Sequence, residues 1–210
     1  MKNFYRGLVY CIGLVILALG IILNTKTGLG VSPIISIPYS ISKIWNINLG
    51  MATGCIYILC VAGQMLLLGK KFRIFDLLQI PMSIVFSEII NVFNDMITIN
   101  SNNLAVNLLL LILAIALTGI GAAMTVQMKI VPNAADGLVQ AVADRFNIGL
   151  GLGKNIVDVT SVLITLIIGL LAARHVVGIG LGTLIAVVGV GRAIALFNMI
   201  FKEKMLEMVQ

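Results

Sequence analysis

Residues 45–50 read WNINLG and residues 146–151 read FNIGLG, so an aromatic-Asn-Ile-x-Leu-Gly junction recurs after 101 positions. Near the end of each half, Val92-Phe93-Asn94 is matched by Leu196-Phe197-Asn198. Around these matches, each half holds an apolar run, a segment with Gly and Pro, the junction and two further apolar runs. We therefore predict two related halves, residues 1–100 and 101–210, within a single membrane domain.

The composition is typical of an integral membrane protein. Hydrophobic residues make up 60% of the chain and charged residues 10%, whereas soluble domains carry about 25% charged residues. Six apolar runs reach the roughly 20 residues that a spanning helix needs. They are Gly7–Leu23, Gly50–Leu68, Phe75–Asn94, Leu104–Val126, Gly151–Ala172 and Val176–Phe201. The predicted fold is an all-α polytopic membrane protein with about six transmembrane helices.

Three spans per half mean that the second half enters the membrane from the opposite side, which is an inverted-topology repeat. The Lys and Arg residues predict the orientation, because cytoplasmic loops carry an excess of them. With the N-terminus inside, ten lie on the inner side and three, Lys26, Lys43 and Arg174, on the outer side. The inner set is Lys2, Arg6, Lys70, Lys71, Arg73, Lys129, Arg145, Lys154, Lys202 and Lys204. Both termini are predicted to be cytoplasmic in the cell membrane, and the net charge of +6 reports orientation, not nucleic-acid binding.

Two segments are too polar and too broken for full spans, yet too apolar for free loops. They are TGLGVSPIISIPYSIS (Thr27–Ser42) and the equivalent stretch that begins KIVPNAADGL at Lys129. Prolines are expected to end local helix hydrogen bonding there, and interrupted segments at matching places indicate a transporter's binding site. The candidate backbone positions are Gly28, Gly30, Pro33, Pro132 and Gly137. Half-helices that re-enter the membrane and line one cavity, or amphipathic helices on its surfaces, both fit this pattern.

Polar residues form two matching stripes at helical spacing. Lys154, Asp158, Ser161 and Thr165 lie on one face of the fifth span, and Thr53, Tyr57, Cys60 and Gln64 lie 101 positions earlier on the second span. Both stripes should face the interior, where hydroxyls and amides either bind a ligand or join helices by hydrogen bonds. Asp158 is the strongest functional candidate because a carboxylate inside a span is costly.

The third span carries a similar row, Gln79, Ser83, Ser87 and Asn91, with Glu88 beside it as a buried acid that would suit proton coupling. Asp136 lies in the second broken segment. Arg192 in the sixth span can reach the cytoplasmic surface, pair with Glu88 or Asp158, or hold an anionic substrate. The candidate substrate or ion-coupling residues are Asp158, Glu88, Arg192, Asp136, Tyr57, Gln64, Ser161 and Thr165.

The order of the short motifs resembles the YczE/YyaS/YitT family of bacterial membrane proteins. The residues that carry the resemblance are LGVSP after the first span, Asp136-Gly137-Leu138, the two junctions, and GIGLGTL at Gly178–Leu184. The resemblance implies a multi-span protein of about this size with no settled activity. It also implies an acid after the first-half proline, where this chain has Pro33-Ile34-Ile35-Ser36.

The pattern favours a small secondary transporter with a central site between the halves, acting on an unknown small molecule. A substrate-capture subunit of an ATP-driven transporter and a membrane chaperone or regulatory partner are the alternatives. No enzyme activity, cofactor, metal site or nucleic-acid partner is predicted. The expected surroundings are the lipid bilayer, and a homodimer is compatible with the sequence.

Overall fold

The computed structural model describes residues 2–99 and 101–209, apart from the side chains of residues 2, 3, 150, 202, 204 and 206–209. These residues form eight α-helices. They are α1 (Lys2–Lys26), α2 (Pro33–Trp45), α3 (Leu49–Leu68), α4 (Gln79–Met96), α5 (Leu104–Gln127), α6 (Ala134–Phe146), α7 (Leu150–Ile168) and α8 (Leu181–Val209). Short 3₁₀ turns precede α4, and a π-helical turn, Gly169–Ala173, extends α7. The predicted boundary at residue 100 and three side chains of the orientation count, Lys2, Lys202 and Lys204, lie outside this description.

Six of the helices are long and apolar enough to cross a membrane, which confirms the predicted all-α fold with six spans. The spans are Phe4–Lys26, Leu49–Lys71, Ile74–Met96, Leu104–Gln127, Gly151–Ala173 and Leu181–Phe201. The last span begins at Leu181 and not, as predicted, at Val176. The reason is that Arg174 and Gly178 take left-handed backbone conformations, with φ of 60° and 79°, which interrupt the helix.

The helix boundaries repeat at the spacing of the sequence match. Helices α2 and α6 each have 13 residues and begin 101 positions apart, at Pro33 and Ala134. Each is followed by an asparagine with φ of 53°, Asn46 and Asn147. The next amide donates to the carbonyl five positions before it, at 3.1 Å in the first half and 3.0 Å in the second. The junction motif therefore forms one kind of turn twice, with Asn at the left-handed position that it tolerates well.

Two compact units make up the chain, and each takes helices from both halves. Unit 1 consists of Met1–Ser32, Val92–Val131 and Gly180–Gln210, and unit 2 consists of Pro33–Asn91 and Pro132–Ile179. The two compact units therefore do not coincide with the two halves of the sequence repeat.

Unit 1 is built around a close contact between α1 and α5, with α8 also packed on α5. A Cβ atom at Gly20 would lie 2.5 Å from the Thr118 amide nitrogen, and one at Gly121 would collide with the Leu17 backbone. Glycines thus allow the two helix backbones to touch, as small residues commonly do in membrane helices. Between α5 and α8, buried apolar side chains fill the interface, including Ile115 of α5.

Unit 2 exchanges its short helices between the halves. Helix α2 packs on α7, and α6 packs on α3, while each short helix also contacts the span that follows it. Helix α4 joins α3 through a hydrogen bond of 2.7 Å from the Gly50 amide to Asn91 Oδ1. The stacked rings of Tyr57 and Phe86, with centroids 5.9 Å apart, lie in the same interface.

The broken segments are each an extended stretch followed by a short helix. Gly28 and Gly30 have φ of 69° and 106°, which explains glycine at both positions. The expectation that Pro33 ends a helix is wrong, because it is the first residue of α2, where the missing N–H costs nothing. Pro132 lies in the extended stretch before α6, and Gly137 lies within α6.

Candidate functional site

The predicted stripes on α3 and α7 are buried, as expected, apart from Lys154, which is partly accessible. Tyr57 and Asp158, equivalent positions of the two halves, are 2% and 1% exposed. Thr53, Gln64, Ser161 and Thr165 are also buried. Most hydroxyls in these stripes donate to a carbonyl four residues earlier in their own helix, as Ser161 and Thr165 do. The expected hydroxyl bonds between helices are therefore mostly absent among the described residues.

Each stripe meets the short helix of the other half. Ser36 Oγ of α2 lies 2.7 Å from Thr165 Oγ1 of α7, and both side chains are fully buried. At the equivalent place Gly137 of α6 faces Gln64 of α3, whose amide Nε2 donates to the Ala134 carbonyl at 3.0 Å. The backbone at the start of α6 thus depends on a side chain from the first half.

A charged cluster lies in unit 2, where Asp158 is buried and Lys154 and Asp136 are partly accessible. Lys154 Nζ is 3.1 Å from Asp158 Oδ2, one helical turn away on α7. The Asp136 carboxyl of α6 interacts electrostatically with both of these side chains. Burial raises the pKa of Asp136, Lys154 offsets part of that increase, and Asp158 adds to it. The Lys154 ammonium is therefore paired with one acid, Asp158, and interacts electrostatically with a second, Asp136.

Asn133 places the start of α6 beside this cluster. Its Oδ1 accepts a hydrogen bond from the Ala135 amide at 3.1 Å, as a helix cap does. Its side chain also interacts with the Tyr57 side chain of α3, and Tyr57 interacts electrostatically with Asp136. Because one residue contacts both α3 and the helix start, Tyr57 and Asp136 are held in a defined relation.

A pair of glutamine amides joins α3 to α4. Gln64 Nε2 donates to Gln79 Oε1 at 2.8 Å, and Gln79 Nε2 donates back to Gln64 Oε1 at 3.0 Å. Both side chains are almost completely buried. A Cβ atom at Gly137 would lie 2.7 Å and 2.8 Å from the two Oε1 atoms, so glycine permits this close approach of α6.

The amide pair forms part of the lining of a cavity of about 500 Å³ within unit 2. The lining also includes two further amides, Gln140 and Asn147, and four charged side chains from the turns between α3 and α4 and from α6, namely Lys71, Arg73, Asp76 and Asp144. Arg73 and Asp76 are paired at 3.0 Å. The cavity has α6 in its wall but no residue of α2, so it is not a cavity shared by both broken segments.

Two predicted site residues lie elsewhere. Glu88 is exposed, contrary to the expectation of burial, because it follows the buried Ser87 by one residue and so lies about 100° around α4. The Asn91 amide faces it at 3.5 Å. Arg192 is exposed on α8. Asp158 pairs with Lys154, and the alternatives given above for Arg192 remain predictions.

Several residues of the site were not among the predicted candidates. Lys154 and Gln79 belong to the polar rows, and their spacing was a usable signal. Asn133 precedes Ala-Ala-Asp, a helix-cap pattern. The cavity residues Arg73, Asp76 and Asp144 resemble ordinary loop charges, and no local sequence signal distinguishes them. Among the described residues, no group of three His, Cys, Asp or Glu side chains is placed to hold a metal ion.

The helices and their buried polar centre define a multi-pass α-helical membrane protein. The chain belongs to a family of unknown function, DUF6198, whose pattern it matches over residues 4–199. No curated protein and no solved structure matches the chain.

Proposed function

We propose that the chain is a small secondary transporter, not an enzyme, and that the cluster of Asp136, Lys154 and Asp158 is its ion-coupling site. The observation that carries the proposal is the buried Asp158, 1% exposed, which is ion-paired with Lys154, while a second acid, Asp136, interacts electrostatically with both side chains. Ionisable residues inside membrane helices commonly belong to ion or proton pathways. A structural ion pair needs one acid and not two.

The charge balance of the cluster suggests how coupling would work. Two carboxylates and one ammonium leave one negative charge, which a proton or a monovalent cation neutralises in a buried site. Neutralising Asp158 releases Lys154 toward Asp136 on α6, and loss of the ion returns it. Because α6 also lines the cavity, a change in its position links ion occupancy to the substrate cavity.

The membrane arrangement of the proposal is an inverted-topology repeat with both termini cytoplasmic. The helix boundaries that recur after 101 positions and the exchanged packing of α2 on α7 and α6 on α3 support the repeat. The Lys and Arg distribution supports the orientation. The cell membrane as location, and membership in the broader YczE/YyaS/YitT group that the motifs resemble, belong to the same proposal.

Proteoliposomes with an internal pH-sensitive dye test the coupling. We expect compounds from a metabolite library to induce proton movement through the wild-type protein, and Asp158→Asn and Asp136→Asn to abolish it. The matched control is Asp95→Asn, which removes an exposed acid outside the cluster. Coupled movement of wild-type size in Asp158→Asn would refute the proposed role. Binding without any flux would favour a capture subunit.

A further inference from the structure

We infer that the cavity of unit 2 binds a small uncharged molecule with an amide-type edge, such as a carboxamide, a lactam or a pyrimidine base. In the bound state the N–H and C=O groups of this edge meet the Gln64–Gln79 pair. The inference rests on the proposed function only where it treats the ligand as the transported substrate. Binding of the ligand in the cavity does not require transport.

The dimensions and the charge of the cavity support a small neutral ligand. A volume of about 500 Å³ falls within the range of small-molecule sites. The charged lining balances, with Lys71 and Arg73 opposite Asp76 and Asp144 in sign. Arg73 is already bound by Asp76 through two hydrogen bonds, at 3.0 Å and 3.3 Å. A ligand with net charge would find no excess of the opposite sign there.

The hydrogen-bonding inventory of the amide pair specifies the ligand edge. Gln64 uses both amide protons, on Gln79 Oε1 and on the Ala134 carbonyl. Gln79 uses one proton on Gln64 Oε1, and no described residue accepts the second. Each Oε1 also keeps one lone pair, because a carbonyl oxygen has two. The pair therefore offers one donor and adjacent acceptors, the complement of an N–H and C=O edge.

Gly137 lets α6 pack closely against the amide pair without displacing it. A Cβ atom there would lie within 2.8 Å of both Oε1 atoms, so a side chain at this position would force the two amides to move. The glycine, both glutamines and the cavity thus form one built site on α3, α4 and α6.

Protection of an introduced cysteine tests the inference in the full-length protein. Gln140→Cys, an exposed cavity position, is made with Cys11, Cys55 and Cys60 replaced by alanine, and its labelling by a maleimide is timed in detergent. The probes are nicotinamide, 2-pyrrolidone and uracil. At about ten times Kd, a bound probe should slow labelling about tenfold. Nicotinate, which is charged, and methyl nicotinate, which has no N–H, should not protect.

Removal of the Gln79 amide supplies the second arm. Gln79→Met should weaken protection by nicotinamide at least about tenfold, the equivalent of 1.4 kcal/mol. The control Gln127→Met removes an amide bonded to Asn198 in unit 1 and should change nothing. If Gln79→Met does not fold, Gln79→Glu retains an acceptor for Gln64, loses the free donor and should also lose protection.

Two outcomes would overturn the inference: equal protection by nicotinamide and methyl nicotinate, or protection by none of the three probes at about 10 mM, a weak limit for a specific site. The assay uses no ion gradient, so amide binding without any ion flux would remove the transport proposal and leave this inference standing.

Discussion

Lys154 and Asp158 form an ion pair of 3.1 Å across one turn of α7, in which the acid is buried and 27% of the lysine side chain is accessible. The accessible partner can be hydrated after its acid is removed, whereas the buried partner cannot. The two residues therefore respond differently to substitution, although they make the same contact.

Asp158→Asn should fold with near-normal thermal stability and lose ion coupling. The asparagine oxygen still accepts from Lys154, whose ammonium is partly accessible. Melting in detergent and the proteoliposome assay measure the two properties. A marked fall in melting temperature that Lys154→Met reverses would show that the pair is structural.

Lys154→Met should destabilise the protein by about 3 kcal/mol, because it leaves a buried carboxylate without its partner. The loss should depend on pH. The pKa of Asp136 is raised by burial, so the folded protein holds that proton more tightly than the unfolded chain does. The stability that this tighter proton binding adds to the folded protein is complete below about pH 3.9, the pKa of Asp136 in the unfolded chain. It declines as the pH rises through the pKa of Asp136 in the folded protein. Reversible unfolding at several pH values measures this, and a loss independent of pH would contradict it.

The contact between Ser36 and Thr165 should give a positive coupling of about 0.6 kcal/mol in a double-mutant cycle of Ser36→Ala and Thr165→Val. The two hydroxyls have two protons, yet they take part in three contacts, with each other and with the carbonyls of Pro33 and Ser161. Only two of these can be hydrogen bonds at once, which keeps the coupling small. A coupling near zero would mean that both hydroxyls donate to the backbone carbonyls and form no hydrogen bond with each other.

Gly20→Ala should destabilise unit 1 by about 2 kcal/mol, since overpacking a close contact costs about 1–3 kcal/mol. The added Cβ would lie 2.5 Å from the Thr118 amide nitrogen, which is backbone and cannot move alone. Gly7→Ala in the same helix is the control, because nothing lies within 4 Å of its Cβ position. Equal melting temperatures for the two variants would show that α1 and α5 adjust without cost.

Membrane orientation is tested by single cysteines in a background without native cysteine. Lys43 lies in the last turn of α2, before α3, and Lys71 lies in the turn after α3; both are exposed. An impermeant maleimide on intact cells should label Lys43→Cys and not Lys71→Cys. Strong labelling of Lys71→Cys from outside would refute the proposed orientation.

The polar stripes were predictable because 3.6-residue periodicity determines which side chains share a helix face. Periodicity alone predicts the burial of Asp158 and Thr165 and the nearness of Lys154. Glu88 shows the limit of this argument, because a single step around the helix separates a buried serine from an exposed acid. The cavity was not predictable, since Gln64 and Asp144 meet it through the packing of α6, which no local pattern encodes.

The exchange of short helices between the halves has a consequence for biosynthesis. When the first half leaves the ribosome, the partners of two of its side chains have not yet been translated. The Thr165 hydroxyl that contacts Ser36 lies 129 residues later, and the Ala134 carbonyl that accepts from Gln64 lies 70 residues later. Helix α1 likewise packs on α5, which is translated later. Neither compact unit can form completely until most of the chain has been translated, so the early helices spend that time in the bilayer without part of their polar contacts. Translation speed, and any insertase that shelters those helices, should therefore govern the yield of correctly assembled protein.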